Sequence, residues 1–256
     1  MKRILISVFL AAICLSSFGQ KQEEKKKFQI KGQPIVTVFA NYHAGIGNAN
    51  KESGFALDRA YLGYQFSLTE KLSGKVVFDM GSTKVSGSDL ERVAYIKNAM
   101  LSWKTGNFTL DFGLIGLEQF NVQEKFWGYR YIMKSFQDEY KFGSSADMGI
   151  LGKYKFTKWL SADITISNGE GYKKLNGDNK YRYAVGATIL PVKNLTIRAY
   201  YDLASKNIEG DETKDQQNLA FFAGYKHELF SIGAEYNQMY NTKFKEDNDQ
   251  SGFSVY

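Results

Sequence analysis

Apolar residues alternate with polar or small ones along most of the chain after residue 34. In residues 160–167 (LSADITIS) every second position is Leu, Ala or Ile, and the positions between them are Ser, Asp or Thr. Residues 108–115, 195–203 and 230–237 repeat this pattern. Because successive side chains of a strand point to opposite faces, the alternation predicts strands with one apolar face and one polar face.

The pattern predicts eleven full strands and the beginning of a twelfth near Gly252. Strand 94–104 is the least regular, because Ile96 and Met100 fall on its polar side. The predicted strands are 34–44, 55–68, 72–81, 94–104, 108–116, 146–156, 160–168, 181–190, 195–204, 217–227 and 229–240.

The connections between these strands alternate between short and long. The short ones are Thr69–Lys71, Lys104–Asn107, Thr157–Trp159, Pro191–Asn194 and Glu228, and the long ones are 45–54, 82–93, 117–145, 168–180, 205–216 and 241–251. Outer-membrane barrels have short periplasmic turns and longer outer loops, and their strands have about 9–11 residues. The sequence therefore predicts an all-β, transmembrane, antiparallel up-and-down β-barrel in the outer membrane of a Gram-negative bacterium. Because the first connection is long, the N-terminus is predicted to lie in the periplasm.

Aromatic residues support this orientation. Trp103, Phe156, Trp159, Tyr225 and Phe230 all lie near the short connections. Aromatic side chains concentrate where a membrane meets water, so these residues are predicted to form a girdle at the periplasmic side. Ordinary core aromatics are the alternative. A soluble sandwich would have no reason to keep the short–long alternation.

The N-terminus differs from the rest of the chain. Lys2 and Arg3 precede an apolar run at 4–15, which predicts a signal peptide at 1–19; a membrane anchor and a lipoprotein signal ending at Cys14 are the alternatives. Residues 20–33 are predicted to be a solvated periplasmic tail; it contains much of the positive charge that remains when residues 1–19, with Lys2 and Arg3, are removed from the chain of net charge +6. The basic residues form no patch interleaved with aromatics, so no nucleic-acid partner is expected.

The predicted barrel occupies 34–256 and is expected to be C-terminally incomplete. Residues 251–256 are too short to span a membrane, and their apolar residues Phe253 and Val255 do not alternate in step with the terminal Tyr256. An open sheet would leave backbone groups unpaired in lipid, so further strands are expected.

No catalytic site, metal site or cofactor is expected, and the protein is not expected to be an enzyme. His43 and His227 fall at opposite ends of the barrel, too far apart to share a metal or a catalytic dyad. Acidic residues of the longest connection could form a carboxylate pair, although solvated loop charge is the simpler interpretation; these are Glu118, Glu124, Asp138 and Glu139.

Four stretches resemble one family of membrane proteins: 124–138 (EKFWGYRYIMKSFQD), 145–149 (SADMG), 168–172 (NGEGY) and 58–63 (DRAYLG). They are similar to porins related to phosphate-selective porins O and P. The resemblance implies a complete barrel of about 16 strands, often a homotrimer. It also implies that the third outer loop, here 117–145, folds inward and narrows the pore.

The aromatic residues of 117–145 fit an inward position. Packed against the barrel wall, they would direct Arg130 toward the passage. The predicted constriction residues are Trp127, Tyr129, Arg130, Tyr131 and Lys134. The alternative is an outer cap or a loop that binds a partner.

Charges of both signs are predicted to line the lumen: Arg59, Lys75, Asp79, Asp111, Asp163, Arg182, Arg198 and Glu235. Mixed signs predict a water-filled channel for passive diffusion of small polar solutes or ions, including anions such as phosphate, with at most a weak preference for anions. The predicted partners are outer-membrane lipid and these solutes. The alternative function is an adhesin or assembly scaffold that acts through its extracellular loops.

Overall fold

The computed structural model describes residues 29–45, 53–82, 92–174, 179–206 and 213–256. The predicted signal peptide and most of the predicted tail lie outside these residues. Twelve antiparallel strands form one sheet in sequence order. The strands are β1 Lys31–Ala44, β2 Ser53–Ser67, β3 Leu72–Ser82, β4 Arg92–Thr105, β5 Phe108–Gly116, β6 Ala146–Lys155, β7 Leu160–Ser167, β8 Arg182–Ile189, β9 Leu195–Ala204, β10 Gln216–Lys226, β11 Ser231–Tyr240 and β12 Gln250–Val255.

The structure confirms the prediction of an all-β, up-and-down antiparallel fold. Every predicted strand is present, and most bounds differ by one to three residues. β1 begins at Lys31 and β12 at Gln250, both earlier than the alternation predicts. Within the described part of the chain the sheet is not closed, since the ladders run from β1 to β12 without pairing these two strands.

The two faces of the sheet differ in polarity. On β7, Ile164 and Ile166 are 62% and 45% exposed, whereas Asp163 and Thr165 are each 6% exposed. On β10 buried and accessible positions likewise alternate along the strand. The face that carries the buried polar side chains is called the inner face below, and the opposite, apolar face is called the outer face.

A register shift interrupts the simple alternation in two ladders, β1–β2 at Asp58 and β3–β4. A β-bulge lies at Lys97, because Val77 pairs with Asn98 whereas the next residue, Phe78, pairs with Ile96. The extra residue moves Ile96 to the outer face, where it is 41% exposed. The prediction that Ile96 lies on the polar side is therefore wrong, and the bulge is the reason.

Short connections end in tight turns that their own side chains stabilise. The hydroxyl of Thr69 accepts hydrogen bonds from the backbone N–H of Lys71 and of Leu72. Thr157 makes the same pair of contacts with Trp159 and Leu160. Threonine hydroxyls satisfy turn N–H groups in this way.

The connection from β5 to β6 contains two helices, α1 Glu118–Trp127 and α2 Phe136–Glu139. A small apolar cluster fixes the start of α1 on the sheet; it comprises Ile115, Leu117, Phe120 and Leu151, with Met100 packed against them. No helix in the described ranges is long and apolar enough to cross a membrane.

Candidate functional site

Residues 117–145, called the inward segment below, contact the inner face of β5, β6 and β9–β12. Gln119 of α1 accepts a hydrogen bond from Arg198 Nε at 2.9 Å. One turn further, Gln123 donates to Glu235 at 2.8 Å. The sequence prediction placed this loop against the wall of the sheet, and the structure shows these contacts.

Three glycines receive aromatic rings of the inward segment. A Cβ atom added to Gly224 or Gly233 would lie 2.5 Å or 3.1 Å from the ring of Phe126, and one added to Gly252 would lie 2.4 Å from Phe136. Gly224 and Gly233 pair directly across β10 and β11. Their missing side chains leave the space that the Phe126 ring fills.

Hydrogen bonds continue along the returning half of the inward segment. The backbone N–H of Phe136 donates to Glu235 at 3.3 Å, and Gln137 donates to Asn237 at 2.5 Å. Asn218 then donates to the carbonyl of Phe142 at 2.6 Å. Polar side chains of β10 and β11 thus satisfy the polar groups of the segment that covers them.

Opposite charges pair on the inner face. Arg59 contacts Asp79 at 3.1 Å, and Lys153 contacts Asp111 at 3.3 Å and Glu118 at 3.5 Å. Two further contacts are the ion pair of Arg182 with Asp202 and the two-pronged contact of Arg198 with Asp163 at 2.7 and 3.0 Å. Six of the eight predicted lumen residues therefore make specific ion pairs.

The positively and negatively charged side chains of these ion pairs differ in their exposure to water. The Arg59 side chain is 20% exposed and its partner Asp79 is 0% exposed; Lys153 is 33% exposed and Asp111 is 7%. In these two pairs the cation is more exposed than its carboxylate, although Glu118, the second partner of Lys153, is 25% exposed. The pair of Arg198 with Asp163 is nearly inaccessible, at 0% and 6%.

Sequence reasoning missed Lys97. The bulge turns its side chain to the inner face, where its ammonium donates to the hydroxyl of Tyr61 at 3.1 Å and lies 4.5 Å from the centre of that ring. A run of uninterrupted alternation cannot reveal such a residue. A charged residue in an apolar register, next to the misplaced Ile96, was the available signal.

Lys75, another predicted pore residue, lines a cleft of about 400 Å³ on the inner face of β1–β4. Lys31, Gln33, Gln65 and Ser102 line the same cleft. No ion pair of Lys75 occurs among the described residues, so this cleft presents cationic and neutral polar groups.

Arg130 is held within the inward segment. It contacts Asp138 at 2.7 Å and Glu124 at 3.6 Å, and its side chain is 12% exposed. The two carboxylates hold its guanidinium, and its direction toward a passage stays a prediction. Glu124 and Asp138, two of the four acidic residues that could have formed a carboxylate pair, therefore pair with Arg130.

The other predicted constriction residues also make local contacts. Trp127 donates its ring N–H to the carbonyl of Met133 at 2.9 Å, and Lys134 pairs with Glu139 at 3.1 Å. Tyr129 and Tyr131 are 46% and 57% exposed, with ring centres 6.1 Å apart. All of these residues therefore lie in the part of the inward segment that joins its two helices or beside it.

Glu124 links the inward segment electrostatically to the opposite wall. Burial raises the pKa of Glu124 above its ordinary value of 4.5, while the positive charges of Arg130, Lys97 and Arg59 lower it. Since Arg59 and Lys97 belong to β2 and β4, these strands face α1 across the inner space.

The described residues contain no group of three or more His, Cys, Asp or Glu side chains that could hold a metal ion.

Comparisons with known proteins give only distant structural similarity. No protein-family model matches the chain, and no curated protein is significantly similar. Salmonella typhi OmpF in complex with daunomycin is similar with 13% identity and a TM-score of 0.39, over 84% of this chain and 80% of that one. OmpT, an outer membrane protein of Vibrio cholerae in its trimer form, has 12% identity and a TM-score of 0.41, over 89% and 81%. A loop L8 deletion mutant of that OmpT has 14% identity and a TM-score of 0.41, over 89% and 86%.

Proposed function

We propose that this protein is an outer-membrane porin through which small polar solutes or ions diffuse passively. The observation that carries the proposal is the polarity of the sheet, which is apolar on its outer face and charged on its inner face. Phe112, Ile232 and Phe221 are 56%, 53% and 48% exposed on the outer face, whereas the inner face carries ion pairs. Lipid outside and water inside would satisfy both faces.

The distribution of aromatics supports an orientation with the short connections in the periplasm. Trp103, Phe156, Trp159 and Phe230 are 43–56% exposed near the short connections. Rings at this level suit a membrane–water interface. With this orientation the N-terminus is periplasmic and the long connections are extracellular. Assembly as a homotrimer and membership of the porin O and P family remain predictions from the sequence resemblance.

The accessible charges favour anions within this channel. Lys75, Lys97 and Arg59 face the part of the inner space that the inward segment leaves uncovered, whereas Asp79 lies behind Arg59. A cationic lining raises the local concentration of anions, and salt screens this effect beyond about 8 Å. The proposed solutes therefore include small anions such as phosphate.

Planar-bilayer recording tests the function directly. The full-length protein should give stepwise conductance, and its reversal potential in a salt gradient should show a preference for anions over cations. Absence of conductance from a heat-modifiable, folded protein would reject the porin. Binding of that folded protein to host cells or to other envelope proteins would then favour the adhesin or scaffold alternative.

A pair of arginine substitutions tests which face meets lipid. Ile164→Arg should impair assembly, because arginine on the lipid face costs about 2–4 kcal/mol at the membrane midplane. Gln65→Arg is the matched control, since Gln65 lines the inner cleft. The fraction of heat-modifiable protein in outer membranes measures the effect. Equal assembly of both variants would contradict the assignment of the outer face to lipid.

A further inference from the structure

Residues 168–174, called the crossing segment below, directly follow β7 and reach a distant strand. The hydroxyl of Tyr172 donates to Asp79 of β3 at 3.1 Å. Three strands, β4, β5 and β6, lie between β3 and β7 in the sheet. At about 4.8 Å between neighbouring strands, β3 and β7 are about 19 Å apart along the sheet. The crossing segment therefore passes over the inner side of the intervening strands.

The base of the crossing segment is firmly held. The backbone N–H of Gly169 donates to Asp147 at 2.6 Å, and Glu170 pairs with Lys206 at 3.2 Å. Gly171, with φ of +79°, lies so close to Ser144 that a Cβ atom would come within 2.6 Å of its hydroxyl oxygen. The crossing segment thus rests on the end of the inward segment, and glycine is required at this position.

The tip of the crossing segment lies among tyrosines and cations of the opposite wall. The ring of Tyr172 is 5.7 Å from that of Tyr95, and the ammonium of Lys97 is 5.9 Å from the Tyr172 ring centre. Lys173 lies 4.9 Å from the ring centre of Tyr95. Burial raises the pKa of Tyr172, and the charge of Asp79 raises it further, so the phenol stays a neutral hydrogen-bond donor.

We propose that the crossing segment forms a second constriction on the extracellular side of the channel. The hydrogen bond from Tyr172 to Asp79 holds it across the lumen, and Lys173 of the segment together with Lys97 of the facing strand β4 favours anionic solutes. The inference rests on the porin function proposed above. It adds a constriction formed by a different connection from the inward segment, and it assigns selectivity to two lysines that the strand pattern does not identify.

Tyr172→Phe tests the hold on the crossing segment, because it removes the hydroxyl and keeps the ring. Tyr95→Phe is the matched control, since the hydroxyl of Tyr95 is buried and has no hydrogen-bond partner among the described residues. Tyr172→Phe loses a hydrogen bond to a charged group. This loss should increase about tenfold the fraction of molecules in which the crossing segment is detached from β3. Single-channel recordings of Tyr172→Phe should therefore show higher or more variable conductance, and those of Tyr95→Phe should resemble the natural protein.

Lys173→Gln tests the selectivity, with Lys174→Gln as its control. Lys174 is the next residue and is also exposed, but among the described residues the cation–π contact with Tyr95 is made by Lys173. The reversal potential of Lys173→Gln should shift toward cations, whereas that of Lys174→Gln should move less.

The outcomes separate the two proposals. A natural protein that conducts, with Tyr172→Phe identical to Tyr95→Phe and Lys173→Gln identical to Lys174→Gln, would overturn the second constriction and leave the porin intact. A folded natural protein that does not conduct would overturn both.

Discussion

The inner face of β9–β11 and the inner face of β1–β3 are built from the same kinds of residue but differ in access to water. On β9–β11, Arg198, Glu235 and Asn237 are 0–3% exposed beneath the inward segment. On β2 and β3, Arg59 keeps 20% of its side chain exposed and Lys75 lines an open cleft. The described segments divide one face into a covered side and an open side.

Because the two sides differ in access to water, similar charged residues have different physical roles on them. Charges interact strongly where water is excluded, and a buried charge is costly without its partner. On the covered side, Arg198 and Asp163 therefore contribute chiefly to the position of the inward segment. On the open side, Arg59 and Lys75 are screened but accessible, so their fields reach a passing solute. Stability and selectivity should accordingly respond to different substitutions.

The largest expected effect is on the stability of the folded protein, and it should differ between Arg198 and Arg59. Arg198→Ala leaves Asp163 buried without its partner and removes the donor to Gln119, so it should destabilise the folded protein by about 3–5 kcal/mol. Arg59→Ala should cost less, because Arg59 is partly solvated and Asp79 keeps the hydroxyl of Tyr172 as a donor. Urea unfolding followed by the heat-modifiable band would measure the two free energies of unfolding.

Ion selectivity should show the opposite order. Arg59→Ala should shift the reversal potential toward cations more than Arg198→Ala does, provided that both variants fold. If Arg198→Ala produced the larger shift in selectivity and the smaller loss of stability, the division into covered and open sides would be wrong.

The alternation of apolar and polar residues predicts the strands well. It cannot predict which part of the inner face is covered and which part is open. Ile164 and Thr165 fall on opposite faces as predicted, because a strand repeats every two residues and lipid or water must meet each face. The bulge at Lys97 breaks that repeat, and its position depends on pairing with β3 rather than on residues 94–104 alone. One inserted residue was enough to misplace Ile96.

The charges of the candidate site could be identified from sequence, but their environments could not. Arg198 and Arg59 occupy equivalent positions in their strand patterns, and only the fold of the inward segment covers one of them. Tyr172 was recognised as part of a family-like stretch, yet its contact with Asp79 joins residues 93 positions apart. Contacts of this kind arise from the curvature of the whole sheet, which no single strand encodes.

A smaller effect is expected where the inward segment fits against glycine. Gly224→Ala would place a methyl group within 2.5 Å of the Phe126 ring, and such overpacking costs about 1–3 kcal/mol. The displaced segment should change the single-channel conductance. Gly54→Ala is the control, because no atom lies within 4 Å of its added Cβ. Combining Gly224→Ala with Phe126→Leu should restore part of the stability, and failure of that rescue would contradict the proposed fit.

The smallest expected effect is a change of ion selectivity with pH, caused by protonation of Glu124, which lies between the covered and the open side. Burial raises the pKa of Glu124 above 4.5, although Arg130, Lys97 and Arg59 oppose the shift. As the pH falls, Glu124 should therefore take up a proton before an ordinary glutamate does. Neutralising this carboxylate removes a negative charge that faces the cations of β2 and β4, so anion permeability should rise relative to cation permeability.

The sign of the pH effect follows from the direction of that shift. Because the folded state binds the proton more tightly than the unfolded state, protonation at Glu124 also favours folding, and this contribution disappears as the pH rises through the raised pKa. The channel should therefore remain folded while its selectivity changes. Reversal potentials measured from pH 7 downward would follow the change, and Glu124→Gln should show the anion-shifted value already at neutral pH. A Glu124→Gln variant with the same pH profile as the natural protein would assign the titration to another carboxylate and leave Glu124 outside the solute path.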